Sequence, residues 1–352
     1  MRILEINTEK KWRGGEKQTL LTTEGLLQKG HAVTLVCKKK SILHEIAISK
    51  KIPFVAVQSN IELFFYLVFN GRKFNIIHTH TAKALTPCAI SAFFHNTKVV
   101  FSRRHHKAPS SILSKWKYNS ADSITTVSQY IKTRLVNAGI KSPIEVIHDA
   151  SILIQPNTTR IQQEYNNYLN TGKKIIATIA ALEEEKDPFT LLAAIEKLSK
   201  ERDDFIFLHF GSGSLEPTVN KEIKHRNLHS IYYCLGQTKD VEELYSMFDI
   251  FVMSSKNEGF GSSVIDAFLN NVPVVSTDAG GLKELVQGRG YLAETGNATD
   301  LCKQINNCLS NDSTAQINNA YAFATTELSS TTIQSQYEQL FIRLTQPTVH
   351  PT

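Results

Sequence analysis

Short, unbroken apolar runs rich in β-branched and aromatic residues recur along this chain, separated by stretches of helical periodicity. In the first half the runs fall at 3–6, 33–36, 54–57, 76–77, 99–101 and 124–127, with amphipathic stretches such as 16–28 and 82–94 between them. In the second half they fall at 175–179, 205–210, 231–233, 250–253 and 272–275. A strand that stays apolar on both faces must be covered on both faces, and helices between strands supply that cover in parallel sheets. Two such series in 352 residues predict two doubly wound, Rossmann-like α/β domains of roughly 150 residues each, facing a cleft.

The expected divisions are 1–160 for the N-terminal domain and 161–328 for the C-terminal domain. A closing helix in 329–346 packs back toward the N-terminal domain, and 347–352 is a frayed tail. The join lies between Ile147 and Lys173, where residues 151–171 are polar and Pro156-Asn157 marks a loop. The closing helix is read from Ile333, Tyr337, Leu340 and Phe341 at helical spacing.

With 41% hydrophobic and 20% charged residues, the chain can bury a core and is neither disordered nor fibrous. It contains no apolar run of the length needed to span a bilayer, roughly 18 residues. The most apolar patch, 61–69, reads as a buried or an interfacial helix. No export signal precedes the first strand, and the five cysteines are scattered, so a cytosolic protein with reduced core thiols is expected. The net charge of +6 divides unevenly: residues 1–150 carry 23 basic and 9 acidic side chains, the remainder 16 and 24.

In open α/β sheets, ligands sit beyond the carboxyl ends of the strands, and the chemistry-bearing motifs lie just there. Residues 254–268 follow a strand and open a helix. Gly259 and Gly261 allow close backbone approach, and the helix N-terminus offers unpaired N–H groups to a phosphate. Glu258 stands at the mouth of this turn and Asp266 lies eight positions on, two acceptor-only carboxylates suited to sugar hydroxyls. Read alone, the same residues also fit a capping carboxylate and a solvated helix face. A second strand, glycine turn and helix start at 273–284, carrying Gly280 and Gly281, weighs toward one nucleotide-sugar site. A third turn, 12–18 with Gly14-Gly15, is weak by itself. No GxGxxG or Walker pattern occurs, which ranks a nicotinamide dehydrogenase low.

These segments resemble the retaining glycosyltransferases of family four, which have the GT-B fold. The resemblance runs over nearly the whole chain and is strongest at Glu258-Gly259-Phe260-Gly261, 273–284 and Gly14-Gly15. It extends to 77–84, 121–128 and Glu185-Lys186-Asp187. It implies that Glu258 holds donor-sugar hydroxyls, Asp266 the ribose and Lys186 the diphosphate, together with backbone of Phe260, Gly261 and Ser262. Gly14 and Gly15 would approach the same diphosphate, while Gly211, Ser212, Gly213, Gly236 and Gln237 would border base and ribose. It further implies a reaction needing neither metal nor cofactor, within bacterial enzymes of lipopolysaccharide or related surface glycans. Three positions depart from the family pattern. Asp266 replaces a usual Glu, Ala181 replaces a usual Arg, and Arg103-Arg104-His105-His106 stands where a sugar-contacting His commonly follows the strand. Arg104 is nearest that position and could supply the missing charge; a solvated basic loop is the plainer alternative.

His78 and His80 share one face of a strand and either line the acceptor side or are satisfied structural histidines. Arg103 and His105 are further acceptor-side candidates. Basic residues interleaved with Trp116 and Tyr118 fit an anionic lipid headgroup as well as nucleic acid, and the donor pattern argues against nucleic acid. The expected function is transfer of a sugar from a nucleotide-diphosphate donor to an anionic glycan or glycolipid, by a cytoplasmic protein able to sit peripherally at the inner membrane face. The alternatives are a nucleotide-sugar epimerase or glycogen-type phosphorylase of related fold, or a non-catalytic glycan-binding relative.

Overall fold

The computed structural model describes residues 1–346. The chain forms two compact units. The first is Met1–Ala150 together with residues 328–346, and the second is Ser151–Glu327.

The first unit is built on a seven-stranded sheet: β1 (Arg2–Asn7), β2 (Ala32–Lys38), β3 (Phe54–Val57), β4 (Ile76–Thr79), β5 (Lys98–Arg103), β6 (Ser123–Thr126) and β7 (Ile144–Val146). Its order is β3-β2-β1-β4-β5-β6-β7, with every pair parallel. The second unit holds six parallel strands: β8 (Lys174–Ile179), β9 (Phe205–Phe210), β10 (Tyr232–Gly236), β11 (Ile250–Met253), β12 (Val274–Thr277) and β13 (Tyr291–Ala293). Their order is β10-β9-β8-β11-β12-β13. Each sheet therefore starts in its middle, winds outward one way and then the other. The winding reverses between β1 and β4 in the first sheet and between β8 and β11 in the second. Loops leaving those neighbours run apart and open a crevice at their carboxyl ends.

The apolar runs become strands because helices cover both sheet faces. In the second unit, Phe205, Phe207, Ile176, Ile250 and Val252 are buried with Leu192, Ile195 and Leu198 of the helix Pro188–Leu198. In the first, the closing helix Ser330–Thr345 buries Ile333, Tyr337, Leu340 and Phe341 against Ile3, Leu26, Val33 and Val100. Each side chain so covered contributes about 1.5–3 kcal/mol relative to exposure, enough to return the chain's end to its first unit.

The division after Ala150 falls inside the expected join but ahead of residue 160. Residues 151–171 are not all loop: the helix Thr158–Leu169 is capped by Asn157, whose side chain accepts from the Arg160 N–H. It buries only Ile161 and Tyr165, so its polar composition masks it. The three-residue edge strands β7 and β13 were likewise not foreseen, being too short and half-buried to show periodicity. The expected frayed tail, 347–352, lies outside the described residues.

All five cysteines are free, and burial pushes the Cys37 and Cys88 thiols up to about 12, which leaves them protonated and unreactive. Among the described residues no helix is long and apolar enough to cross a membrane.

Candidate active site

In the second unit, the loops leaving β8, β11 and β12 are stitched together at the point where the winding reverses. The loop after β8 carries a short 3-10 turn, Glu184–Lys186, before the helix Pro188–Leu198. Ser254 Oγ donates to the Lys186 carbonyl at 2.8 Å and the Lys256 N–H to the Glu185 carbonyl at 2.9 Å. Thr277 Oγ1 donates to the Ser255 carbonyl at 2.7 Å, and the Gly281 N–H to the Glu258 carbonyl at 3.1 Å. A Cβ on Gly281 would stand 2.1 Å from the Gly259 carbonyl oxygen, so only glycine lets these two loops meet.

This stitching brings together two side chains 72 residues apart. Lys186 Nζ donates to Glu258 Oε2, forming an ion pair. Glu258 Oε1 accepts from the Gly259 N–H at 3.2 Å, and Ser255 Oγ lies 3.4 Å from Oε2. The pair is open to solvent, with 27% of the Lys186 and 16% of the Glu258 side chain exposed. Lys256 Nζ lies 3.2 Å from the buried Asp187 carboxylate and adds a further cation to the same loops.

Phe260 is buried and anchors the turn. Gly261, at φ +109°, precedes the helix Ser262–Leu269, whose first residue Ser262 is exposed. Gly280 likewise precedes the helix Gly281–Val286. Asp266 is half-buried one turn into its helix, where its charge and, before it, burial hold the neighbouring Tyr245 phenol well above its usual range. One strand further along, the Gly211 N–H donates to the Gly236 carbonyl at 2.8 Å. A Cβ on Gly211, at φ +138°, would meet the Ala180 carbonyl oxygen at 2.1 Å. Ser212 and Gln237 are exposed beside this junction, with Gly213 and Gly236 half-buried, and Ala181 is exposed in the loop after β8.

The first sheet also places charge where its winding reverses, in a different manner. Glu5 of β1 lies opposite His78 of β4 in register. His78 Nδ1 lies 3.0 Å from Glu5 Oε1 and its Nε2 2.7 Å from Ser102 Oγ. His80 Nε2 lies 2.5 Å from Glu5 Oε2, and the two imidazole rings stand 4.1 Å apart. Ser102 Oγ reaches Thr125 Oγ1 at 2.6 Å and Tyr337 Oη at 3.0 Å. Arg104 Nη1 approaches His80 Nδ1 at 3.0 Å, while its Nε donates to Asp149 Oδ1 at 2.8 Å.

A guanidinium only donates, so His80 Nδ1 is the acceptor and its Nε2 carries the proton that Glu5 receives. Burial first, then the charge of His78, hold the His80 pKa down at about 3 despite Glu5. Burial works to raise the Glu5 carboxyl, but the two histidines outweigh it and hold it at about 2. For Arg104, burial works downward and Asp149 outweighs it, so the cation is secured.

His78 and His80 do share one face, but their side chains have no exposed surface, which corrects their assignment to an acceptor-lining role. Glu5, His78 and His80 place ligand-type atoms within 4.8 Å of one another, each already in a hydrogen bond. The signal for Glu5 was a lone carboxylate inside the apolar run 3–6; nothing in the sequence pointed to Asp149 or Ser102. Arg103 Nη2 donates to the Lys107 carbonyl at 2.5 Å and its guanidinium lies 5.9 Å from the Tyr118 ring centre. His105 is exposed and accepts from the Lys107 N–H at 3.1 Å. Gly14 and Gly15 form the first turn of the helix Gly14–Gln28, and a Cβ on Gly15 would meet nothing within 4 Å.

Two family models match the chain: Glycosyltransferase Family 4 over residues 12–150 and Glycosyl transferases group 1 over residues 160–324. The first unit thus matches the Family 4 model and the second the group 1 model, both of them models of glycosyltransferases. The chain shares the GT-B fold of Anabaena HepE, solved in complex with UDP. The two are 20% identical with a TM-score of 0.85, over 97% of this chain and 100% of that one. It is 27% identical to the N-acetyl-alpha-D-glucosaminyl L-malate synthase of Bacillus anthracis over 44% of this chain and 41% of that protein. It is 29% identical to the poly(ribitol-phosphate) alpha-N-acetylglucosaminyltransferase of Staphylococcus aureus over 40% of this chain and 29% of that protein. The chain thus spans about half or less of the length of these curated relatives.

Proposed function

We propose that this transferase moves a sugar, with retention of configuration, from a uridine-diphosphate donor to an anionic glycan or glycolipid acceptor of the cell surface. The observation that carries this reading is the solvent-open Lys186–Glu258 pair, at the reversal of the second sheet and beside two helix N-termini. The UDP held by HepE and the poly(ribitol-phosphate) acted on by the Staphylococcus enzyme favour the donor and the anionic acceptor.

Without donor, Lys186 and Glu258 neutralise one another. An arriving diphosphate takes over Lys186, and Glu258, an acceptor only, turns to hydroxyl groups of the donor sugar. Asp266 accepts from the ribose, and the N–H groups of Gly261 and Ser262 face the phosphates. The bond from the anomeric carbon to the diphosphate oxygen breaks, and its electron pair leaves with UDP. Lys186 and the helix N-termini stabilise that developing charge. The acceptor hydroxyl oxygen then bonds to the anomeric carbon on the same face, and its proton passes to the departing phosphate oxygen. Arg104, held by Asp149, is the fixed cation of the first unit.

The test is a melting-temperature screen against nucleotide-sugars followed by product analysis with the responding donor. A ligand at 100 times its dissociation constant adds about 2.7 kcal/mol of stability. Transfer requires that UDP release match formation of a lengthened, configuration-retaining glycan. An epimerised donor, a sugar phosphate, or glycan binding with no nucleotide-sugar binding would overturn it.

A further inference from the structure

The helical layer on one face of the first sheet has an unusual outer surface. The helices Asn60–Asn70 and Leu85–His95 pack together, with the Phe64 and Phe94 rings 6.2 Å apart, and bury Leu63, Leu67, Leu85 and Cys88 inward. Outward, Ile61, Phe65 and Phe69 form one row at four-residue spacing, and Ile90, Phe93 and Phe94 continue it on the neighbouring helix. Phe69 and Phe93 are 76% and 77% exposed. The next helix, Ile112–Asn119, adds Ile112 and Leu113, and is tied to the layer by Lys117 Nζ donating to the Ala82 carbonyl at 2.8 Å. A water-facing surface rarely gathers so much contiguous apolar area without a partner.

Charge says which partner. The three helices and the turn Gly71–Lys73 carry Arg72, Lys73, Lys115 and Lys117 but a single carboxylate, Glu62. A second copy of the same face would set those cations against their equivalents, whereas an anionic bilayer attracts them and takes the aromatic rings at headgroup depth. The row also leads somewhere. Ile61 lines an open pocket of about 700 Å³ at the carboxyl ends of the first strands, where Lys10, Lys11, Arg13, Lys38 and Lys83 outnumber Glu9 and Glu16, and Lys83 lies 3.3 Å from Glu9.

We propose that this face, from Ile61 to Phe94, docks on an anionic bilayer, and that the basic pocket beside Ile61 receives the headgroup of a lipid-held acceptor. The acceptor clause rests on the transfer reading; the docking does not.

The test is flotation of the full chain with phosphatidylglycerol/phosphatidylethanolamine vesicles against neutral phosphatidylcholine vesicles. Calorimetric titration with UDP-sugar is run on the same samples. Binding is expected to the anionic vesicles only and to weaken as salt rises. The Phe69→Ser/Phe93→Ser variant, altered at exposed sites, should keep its melting temperature and bind at least about tenfold more weakly. Arg72→Gln/Lys73→Gln should bind several-fold more weakly with a shallower salt dependence. Equal vesicle binding by wild type and the Phe variant, equal binding to neutral vesicles, or a dimer abolished by the Phe substitutions would overturn the docking. Vesicle binding without UDP-sugar binding would overturn the transfer reading and leave the docking standing.

Discussion

The two sheets reverse their winding in the same way and treat the charges there in opposite ways. In the second unit Glu258 sits in the loop five residues beyond the end of β11, and it meets Lys186 in solvent. In the first, Glu5 lies within β1 and His78 within β4, and both side chains are sealed under the closing helix, whose Tyr337 ring stands 5.1 Å from that of His78. A carboxylate just past a strand stays available to a ligand, while one inside a strand is committed to partners within the fold. The same topology thus yields an open ion pair in one unit and a sealed network in the other. The difference is set by a few residues of position along the strand.

Removing each carboxylate in turn should separate the two units most strongly. Glu258→Ala should lower transfer by about 10³-fold, at the scale of losing a preorganised electrostatic contact, with the melting temperature kept. Glu5→Ala should do the reverse, costing about 3–5 kcal/mol by leaving buried polar partners unmatched, measured by denaturant unfolding. Acid sharpens the same contrast. His80 is held near 3 against an ordinary 6.5, so the unfolded chain takes up its proton first and stability falls as the pH drops below 6.5. Glu5, held near 2 against 4.5, adds its loss as the pH falls from 4.5 through 2. Each group contributes up to about 1.4 kcal/mol per pH unit. In unfolding curves across pH, His80→Asn should flatten the segment between 6.5 and 4.5. The smallest effect belongs to Ala181→Arg, which restores a cation in the exposed loop after β8 and should tighten donor binding a few-fold in calorimetric titration.

Much of the fold was legible because doubly wound sheets write their strands as apolar runs, and the runs at 205–210 and 250–253 became β9 and β11 with those bounds. What escaped was short or polar: the edge strands β7 and β13, and the helix Thr158–Leu169 with only two buried residues. The candidate donor residues were legible as loop motifs. Their meeting across 72 residues was not, because it depends on three loops closing around Gly281. The Glu5–His78–His80–Arg104 network was hidden for the opposite reason. Alternation along β4 paired the histidines, but no periodicity names the strand that will lie beside them.

On the proposed function, the open pair of the second unit receives the donor's diphosphate through Lys186. The most direct test is the dissociation constant for UDP in the wild type and in Lys186→Ala, by calorimetric titration. Loss of a charge-assisted contact worth about 1.5–3 kcal/mol should weaken UDP binding by roughly 10- to 100-fold at unchanged melting temperature. UDP binding of equal strength in both proteins would contradict the claim.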